Sequence, residues 1–266
     1  MSSFQNQNVL ITGGASGIGK IMGRLALERG AKLVVWDVDK QGLDDVVAEF
    51  SRQGKVCGFQ VDVADPEQIR NTAQQVKNRV GTIDILINCA GIIVGKYFHE
   101  HSEADIRRTM SIDADAPMFV TRAFIDDMIT RNAGHICNIA SAAGLISNPK
   151  MSVYVAGKWA MVGWSNSLRI EMKQLNKNVK VTTVMPYYIN TGMFDGVQSL
   201  IPVLKPEKVA RKIIGAIEMN RVFLDIPRIY RIIRILQGIL PIRAFDWLVG
   251  GRLGIYKTME NFTGRK

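Results

Sequence analysis

A tyrosine and a lysine stand four positions apart in the stretch SVYVAGKWA, as Tyr154 and Lys158. On a helix, residues at this spacing lie on one face, about one turn apart. A free phenol has a pKa near ~10, but a neighbouring ammonium favours the phenolate, which can take a proton from an alcohol. The pair is therefore a candidate acid/base couple, although the same spacing also occurs on helix surfaces without any chemical role.

A serine lies 13 residues before the tyrosine, at the end of the apolar run in GHICNIAS. If that run is a strand, Ser141 and Tyr154 can converge on one point above the sheet. The Ser141 hydroxyl would then hydrogen-bond a substrate oxygen as charge develops on it. If a nicotinamide lay beside the adjoining carbon, it could take a hydride from that carbon, and Lys158 could hold the nicotinamide ribose hydroxyls.

A glycine-rich turn, TGGASGIG at 12–19, links the first apolar run to a helix. Glycine lets the chain turn tightly and lets backbone N–H groups approach a ligand, and the helix N-terminus favours negative charge. A lone glycine-rich turn is weak evidence, but a turn between a strand and a helix is the context of a pyrophosphate site. The predicted contacts are Gly13, Ser16, Gly17, Ile18 and Gly19.

An aspartate ends the second apolar run, 20 residues after Gly17. In dinucleotide folds an acid near this position binds the adenosine ribose, and its charge repels a 2′-phosphate. Asp37 therefore predicts NAD, with NADP the less favoured cofactor. Asp39 competes for the same role, and a strand-end aspartate can also simply cap the next turn.

Two further strand ends carry small or polar residues that can meet a cofactor. Asp62 and Val63 end the third run and could contact the adenine, while Asn88, Ala90 and Gly91 end the fourth and leave room for a ribose. Ligands of open α/β sheets bind outside the carboxyl ends of the strands. The agreement of four such ends is better evidence than any one of them.

The apolar pattern alternates between short aliphatic runs and longer mixed stretches, which predicts βαβ units and a doubly wound α/β sheet. The predicted strands are 8–13, 32–37, 55–63, 83–91, 134–141 and 179–186, with 221–227 as a possible seventh. The predicted helices are 17–29, 40–53, 66–79, 103–131 and 153–176.

These motifs together resemble the short-chain dehydrogenase/reductase family over nearly the whole chain. The resemblance depends on T-G-x-x-x-G-x-G at 12–19, N-x-A-G at 88–91, Ser141, and Y-x-x-x-K at 154–158. It implies that Ser141, Tyr154 and Lys158 are catalytic, and that the fold is a single Rossmann-type domain with a seven-stranded parallel sheet. It also implies a homodimer or homotetramer formed through the helices at 103–131 and 153–176.

One position departs from the family pattern. The family's fourth catalytic residue is an Asn in the helix after the fourth strand, and the matching run SIDADAP has Asp113 instead. The Asn is thought to anchor a water relay partly through its backbone carbonyl, which an Asp keeps. A buried carboxylate would pair with Lys158 or become protonated, so the departure concerns the proton relay more than activity itself.

The block VMPYYINTGMF at 184–194 resembles the branch that includes retinol dehydrogenases and 17-beta-hydroxysteroid dehydrogenase-like proteins. In the family, the positions of Ile189 and Thr191 contact the nicotinamide carboxamide. Met193 and Phe194 would begin a lid near 190–215, and an apolar lid suits a lipophilic substrate.

Composition indicates which metal sites, compartments and partners to expect. The three cysteines have no metal-ligand spacing, so we expect no metal, no disulfide framework and a reducing compartment such as the cytoplasm. We expect no signal peptide and no spanning segment. From Lys205 onward there are 13 Lys and Arg against 5 Asp and Glu, so the basic excess is largely C-terminal and indicates an anionic partner.

Residues 228–240, RIYRIIRILQGIL, form a short basic amphipathic helix when wound at about 100° per residue. This composition is typical of a peripheral membrane anchor. A helix packed on its own domain or on a partner subunit has the same pattern. Nucleic acid is not expected, because no reading motif accompanies the basic face.

We therefore predict an NAD-binding catalytic domain at 1–227 and a C-terminal extension of it at 228–266. The predicted activity is hydride transfer between an alcohol and its ketone or aldehyde on a lipophilic steroid, retinoid or long-chain substrate. Two alternatives stay open. One is an NAD-binding lipid-surface or scaffold protein with little catalysis, and the other is a reductase that uses NADPH.

Overall fold

Seven short aliphatic runs form one parallel sheet in the computed structural model, which describes residues 1–264. The strands are β1 (Asn8–Thr12), β2 (Lys32–Asp37), β3 (Val56–Gln60), β4 (Ile85–Asn88), β5 (Gly134–Ile139), β6 (Val179–Pro186) and β7 (Phe223–Ile226). Their order is β3-β2-β1-β4-β5-β6-β7. The chain reverses direction across the sheet between β1 and β4, and this switch point opens a crevice at the carboxyl ends of the strands.

Helices cover both faces of the sheet. They are α1 (Gly17–Leu27), α2 (Lys40–Phe50), α3 (Pro66–Val80), α4 (Glu103–Met110), α5 (Ala116–Thr130), α6 (Ser152–Gln174), α7 (Pro206–Glu218), α8 (Tyr230–Ile239) and α9 (Ile242–Phe245). The predicted fold class, a doubly wound α/β domain with a seven-stranded parallel sheet, is confirmed.

The strands are continuously apolar because each strand is covered on both sides. Successive strand residues point to opposite faces. In β1, Val9 and Ile11 join the core formed with α1, α2 and α7, whereas Leu10 joins the core formed with α3, α5 and α6. Both cores exclude water from the sheet and fix the strand ends that form the crevice.

The helix predicted over 103–131 is divided in the structure. α4 ends at Met110, a wider π-type turn follows over Ser111–Asp115, and α5 begins at Ala116. Pro117 lacks the N–H that a regular helix would give to the carbonyl of Asp113, four residues earlier. Wide turns of this kind occur frequently at functional sites, and this one carries Asp113.

The segment 190–215, where we expect a lid, includes the first part of α7. Residues from Pro206 onward form α7, whose Val209 and Ile213 are buried on the sheet. Glu207 at the start of α7 pairs with Arg24 of α1, with 2.8 Å between the charged atoms. The segment available to cover the crevice therefore ends before α7.

The amphipathic stretch 228–240 contains α8. Tyr230 and Ile233 are buried in a third apolar cluster, together with Tyr187 and Tyr188 at the end of β6. Within residues 1–264, no helix combines the length and the apolar character needed to cross a bilayer.

Candidate active site

A cleft of about 300 Å³ lies along the carboxyl ends of the strands. Most of the site residues predicted from the sequence line this cleft: Gly13, Ser16, Gly17, Ile18, Gly19, Asp37, Asp62, Val63, Ala90, Gly91, Ser141, Tyr154, Lys158, Ile189 and Thr191. Two nominated residues, Asn88 and Asp113, lie behind the cleft wall.

The Asn88 side chain does not lie in the cleft, where we expected it to stand beside a ribose. Its side chain is buried on the α5 side of the sheet, where Nδ2 donates to Asn138 Oδ1 at 2.8 Å and to Thr121 Oγ1 at 3.1 Å. The amide thus joins β4 to β5 and α5. The residues after it reach the cleft because the Thr12 hydroxyl accepts the backbone N–H groups of Cys89 and Ala90.

Asp113 lies behind the cleft wall and contacts two residues that line the cleft, Lys158 and Ile92. Its carboxylate is fully buried, with Oδ1 at 3.1 Å from Lys158 Nζ, and the Ile92 N–H donates to the same oxygen at 3.3 Å. The expectation of a buried carboxylate paired with Lys158 agrees with this geometry. Asp113 does not line the cleft itself, so we expect it to position Lys158 rather than to touch a substrate.

The Tyr, Lys and Ser that could do chemistry all line the same cleft. Tyr154 stands in the first turn of α6, with Lys158 Nζ 5.5 Å from its ring centroid. Ser141 follows β5, and its Oγ accepts the N–H of Ala143 at 3.1 Å. The Ser141 hydroxyl hydrogen is therefore left to donate toward a group in the cleft.

Burial dominates the electrostatics of this group. Burial raises the pKa of Tyr154 above its ordinary value, and the negative charge of Asp113 raises it further. The positive charge of Lys158 and a hydrogen bond from Ser141 lower it in part. Burial also works against the charged form of Lys158, but Asp113 and Tyr154 together outweigh it, so the pKa of the ammonium is raised. Lys158 thus remains a cation at neutral pH beside a protonated phenol.

The glycine-rich turn has a backbone that other residues would not tolerate. Gly13 has φ +67° and Gly17 has φ +54°, which is the left-handed region. A Cβ on Gly13 would lie 2.9 Å from the Ala90 Cα, and a Cβ on Gly19 would lie 2.1 Å from the Gly13 carbonyl oxygen. The turn therefore packs tightly against β4 and presents bare backbone to the cleft.

Asp37 and Asp39 have different roles in the structure. Asp37 lines the cleft, and its carboxylate accepts the N–H groups of Ala15 at 2.9 Å and Asp39 at 3.1 Å. Asp39 instead caps α2, where its side chain accepts the N–H of Gly42. Of the two acids, Asp37 is therefore the one that a ligand in the cleft could contact.

The structure adds wall residues that sequence reasoning missed. Arg108 of α4 pairs with Asp62 at 2.8 Å, and Ile112 follows it in the wide turn. No sequence signal connects α4 with the third strand. The other additions lie beside nominated residues: Trp36, Val38, Val61, Cys89, Ile92, Ile139, Ala140, Pro186 and Tyr187. Met193 and Phe194, which the sequence analysis places at the start of a lid, also line the cleft.

The doubly wound sheet, the glycine turn at its switch point and the Ser, Tyr and Lys beside one cleft define a class of nicotinamide-dependent oxidoreductases. A family model described as short chain dehydrogenase matches residues 7–200. The chain therefore belongs to the short-chain dehydrogenase/reductase family, and the predicted enzyme class, which acts on CH–OH groups with a nicotinamide cofactor, is confirmed.

Curated relatives extend over most of the chain. Epidermal retinol dehydrogenase 2 of Mus musculus is 36% identical over 265 residues, which cover 97% of this chain and 85% of that protein. Estradiol 17-beta-dehydrogenase 11 of Macaca fascicularis is 34% identical over 244 residues, covering 91% of this chain and 81% of that protein. The resemblance to the retinol and 17-beta-hydroxysteroid dehydrogenase branch is thus confirmed.

Solved structures agree on the fold. A short chain dehydrogenase/reductase from Burkholderia phymatum in complex with NAD has a TM-score of 0.83 and 26% identity, covering 90% of this chain and 95% of its own. A metagenomic short-chain oxidoreductase in complex with NADP has a TM-score of 0.71 and 27% identity, covering 84% and 96%. Structural neighbours thus include proteins with either cofactor.

Proposed function

We propose that this enzyme prefers NAD and interconverts an alcohol and its ketone or aldehyde on a lipophilic steroid, retinoid or long-chain substrate. The observation that carries this proposal is the convergence of Ser141, Tyr154 and Lys158 on one wall of a largely apolar cleft. The names of the relatives, a retinol dehydrogenase and an estradiol dehydrogenase, support the substrate class.

Each of the three residues has a role that follows from its surroundings. A bound nicotinamide supplies the hydride-transfer chemistry. Tyr154 moves a proton to or from the substrate oxygen, which typically contributes roughly 10²–10⁴-fold to the rate. Ser141 donates its hydroxyl hydrogen to the same oxygen, and the Lys158 ammonium stabilises the phenolate form of Tyr154.

The cleft fits a dinucleotide at both ends. A Cβ on Gly17 would point toward Thr191 on the opposite wall, 3.7 Å away, so the glycine keeps this passage open. Backbone N–H groups at the start of α1 would hold a pyrophosphate, and Ser16 at that helix start makes no side-chain cap that would block them. Asp37 would hold the adenosine ribose and disfavour a 2′-phosphate.

The substrate end of the cleft is apolar and aromatic. Tyr187 lines this end of the cleft, and 6.2 Å separates the ring centroids of Phe194 and Tyr154. Such a wall binds a hydrocarbon skeleton rather than a sugar or a charged acid. Met193 and Phe194 belong to the short lid before α7, so a bulky substrate would be covered by apolar side chains.

Steady-state turnover tests this proposal. Steroid, retinoid and long-chain alcohols are supplied with NAD and with NADP in parallel, to the wild type and to Tyr154→Phe. We expect faster turnover with NAD, and a loss of about 10²-fold or more in Tyr154→Phe with cofactor affinity retained. NAD binding without turnover of any alcohol would instead support the alternative of a binding or scaffold protein.

We also propose that α8 and its flanks contact an anionic lipid surface peripherally. Tyr230 and Ile233 fix α8 to the domain, and Arg231 pairs with Asp225 at 2.9 Å. Ile232, Ile235 and Ile239 of α8 are exposed, and so are the flanking Ile229 and Ile242. These isoleucines, the Ile stripe, lie in the basic C-terminal part of the chain, a combination that suits an anionic interface.

Self-association is the third part of the proposal. α5 and α6 present Phe119, Trp159 and Ile170 to solvent, with 44–48% of each residue exposed. Large exposed apolar side chains are typical of an interface between subunits. A homodimer or homotetramer through α5 and α6 would appear as the oligomer mass in light scattering, and Trp159→Glu would reduce it.

A further inference from the structure

Two glycines from different elements lie against the buried pair of Asp113 and Lys158. Gly157 directly precedes Lys158 on α6, and a Cβ placed on it would stand 2.9 Å from the Asp113 Cβ. Gly91 follows β4, and a Cβ on it would stand 2.9 Å from Asp113 Oδ1 and 3.2 Å from Lys158 Nζ. Because carbon atoms in contact prefer about 3.5–4.0 Å, a side chain at either position would have to push Asp113 aside.

Backbone geometry does not explain either glycine. Neither has a positive φ, the conformation in which glycine is favoured over other residues. Gly157 also lies inside α6, where glycine is about 1 kcal/mol less favourable than alanine. What each position preserves is therefore the space that Asp113 and Lys158 occupy.

This space determines where the carboxylate lies relative to the helix. Tyr154, Gly157 and Lys158 share one face of α6, at positions i, i+3 and i+4. Asp113 packs on that face at Gly157, from the wide turn between α4 and α5. Its Oδ1 thereby lies 3.1 Å from Lys158 Nζ, with both side chains almost fully buried. Since little water screens the pair, the carboxylate cancels part of the field of the ammonium.

We propose that Gly91 and Gly157 are positioning residues, which leave the space that seats the Asp113 carboxylate against the Lys158 ammonium and so reduce the positive charge that acts on the Tyr154 phenol. This inference rests on the proposed function, in which Tyr154 exchanges a proton with the substrate oxygen. Gly91 also lines the cleft, and this role is additional to any cofactor contact there.

The other titratable groups that act on the pair or on the phenol are neutral at physiological pH. Cys89, after β4, interacts with Lys158, and burial raises the pKa of this thiol to about 12. Tyr188, after β6, interacts with Tyr154, and burial raises its pKa as well. Within residues 1–264, Asp113 and Lys158 are therefore the groups whose full charges act on Tyr154.

The experiment measures kcat/KM for oxidation of a steroid or retinoid alcohol against pH, at saturating NAD, in wild type, Gly91→Ala and Gly157→Ala. A methyl group at either position separates the carboxylate from the ammonium, which should move the acid limb of the profile to lower pH. On that limb kcat/KM should rise about twofold or more. Gly163→Ala is the matched control on the same helix, because a Cβ there meets no packing neighbour within 4 Å, and it should leave the profile in place.

The same substitutions in an Asp113→Asn background show whether the carboxylate carries the effect. The added methyl group then displaces no charge, so neither alanine should move the profile further. An equal shift in both backgrounds, an unchanged profile or a shift to higher pH contradicts the inference. Gly91→Ala keeps the test decisive if Gly157→Ala fails to fold, because its methyl group meets only the ends of two flexible side chains.

Absorbance of the Tyr154 phenolate separates this inference from the proposed function, since it requires no substrate. It is measured as the difference between each variant and the same variant carrying Tyr154→Phe. The midpoint of its titration should fall in Gly91→Ala and Gly157→Ala and stay in place in Gly163→Ala. A lowered midpoint without turnover of any alcohol contradicts the proposed function alone, whereas turnover with unmoved midpoints contradicts the positioning role alone.

Discussion

Asp113 and Lys158 form an ion pair inside the protein, with 3.1 Å between Oδ1 and Nζ and almost no solvent exposure of either side chain. Removing one partner of a buried pair leaves an uncompensated charge. The pair also holds Lys158 beside the Tyr154 ring. The ammonium that should stabilise a phenolate is therefore partly neutralised by the carboxylate behind it.

Replacing this carboxylate should change the pH dependence of the reaction. Asp113 raises the pKa of Tyr154, so its removal in Asp113→Asn should lower that pKa. Alcohol oxidation requires the phenolate, and its kcat profile should move to lower pH. Carbonyl reduction requires the phenol and should lose rate at a lower pH than in the wild type.

The measurement is kcat against pH in both directions for wild type and Asp113→Asn. Asp115→Asn, in the exposed part of the same turn, serves as the matched control and should leave both profiles in place. A lowered melting temperature with unchanged pH profiles would show that Asp113 has only a structural role.

The two aspartates after β2 allow a matched test of cofactor preference. Asp37 lines the cleft, whereas Asp39 caps α2. Asp37→Ser should raise kcat/KM for NADP relative to NAD, because the repulsion of the 2′-phosphate is removed. Asp39→Ser should leave this ratio unchanged and lower stability by about 1 kcal/mol or less, since serine is itself a helix cap. Equal ratios in wild type and Asp37→Ser would contradict the assigned role of Asp37.

A buried histidine in β5 should make stability depend on pH. His135 bonds Ser2 and Thr182 through its two ring nitrogens, each at 2.9 Å. Burial lowers the pKa of His135 to about 4 in the folded protein. Between this value and the ordinary histidine pKa, the unfolded chain binds a proton at His135 and the folded protein does not. Stability from this group is complete above the unfolded pKa and is lost as pH falls toward the folded value.

This linkage should lower the free energy of unfolding by about 2 kcal/mol between about pH 7.5 and about pH 5. Urea denaturation at the two pH values measures it. In His135→Gln that share of the pH dependence should disappear, whereas His99→Gln, at an exposed histidine, should keep it. An identical pH dependence in wild type and His135→Gln would rule out this assignment.

The sequence predicted those parts of the site that depend on local spacing. The glycine turn follows β1 directly, and Tyr154 and Lys158 share one helix, so their geometry is fixed within a few residues. Asn88 was misplaced because strand residues alternate between faces, and one position decides whether a side chain meets the cleft or α5. α7 was missed because it follows a lid segment with no clear end in the sequence.

Contacts between distant segments were not predictable from local patterns. Arg108 meets Asp62 across 46 residues of chain, and Asn148 meets Thr258 across 110. Neither pair leaves a periodic signal, since each depends on how α4 and the C-terminal segment pack. The basic stretch 228–240 was recognised as amphipathic, but only the structure separates its buried edge from the exposed Ile stripe.

The Ile stripe makes the lipid proposal testable. Ile235 and Ile239 are 59% and 73% exposed, and each should bury apolar area when the protein binds a vesicle. The double variant Ile235→Asp, Ile239→Asp should therefore bind phosphatidylserine vesicles about tenfold or more weakly than the wild type. Leu175→Asp, at an exposed leucine after α6, is the control and should bind as the wild type does.

Binding should also weaken with salt and with neutral vesicles, because Arg228 and Arg243 contribute through the surface potential. Sedimentation with vesicles measures all of these. Equal binding by the double variant and the wild type would mean that the stripe faces another protein surface, and a change in oligomer mass would then identify a second copy of this chain as that surface.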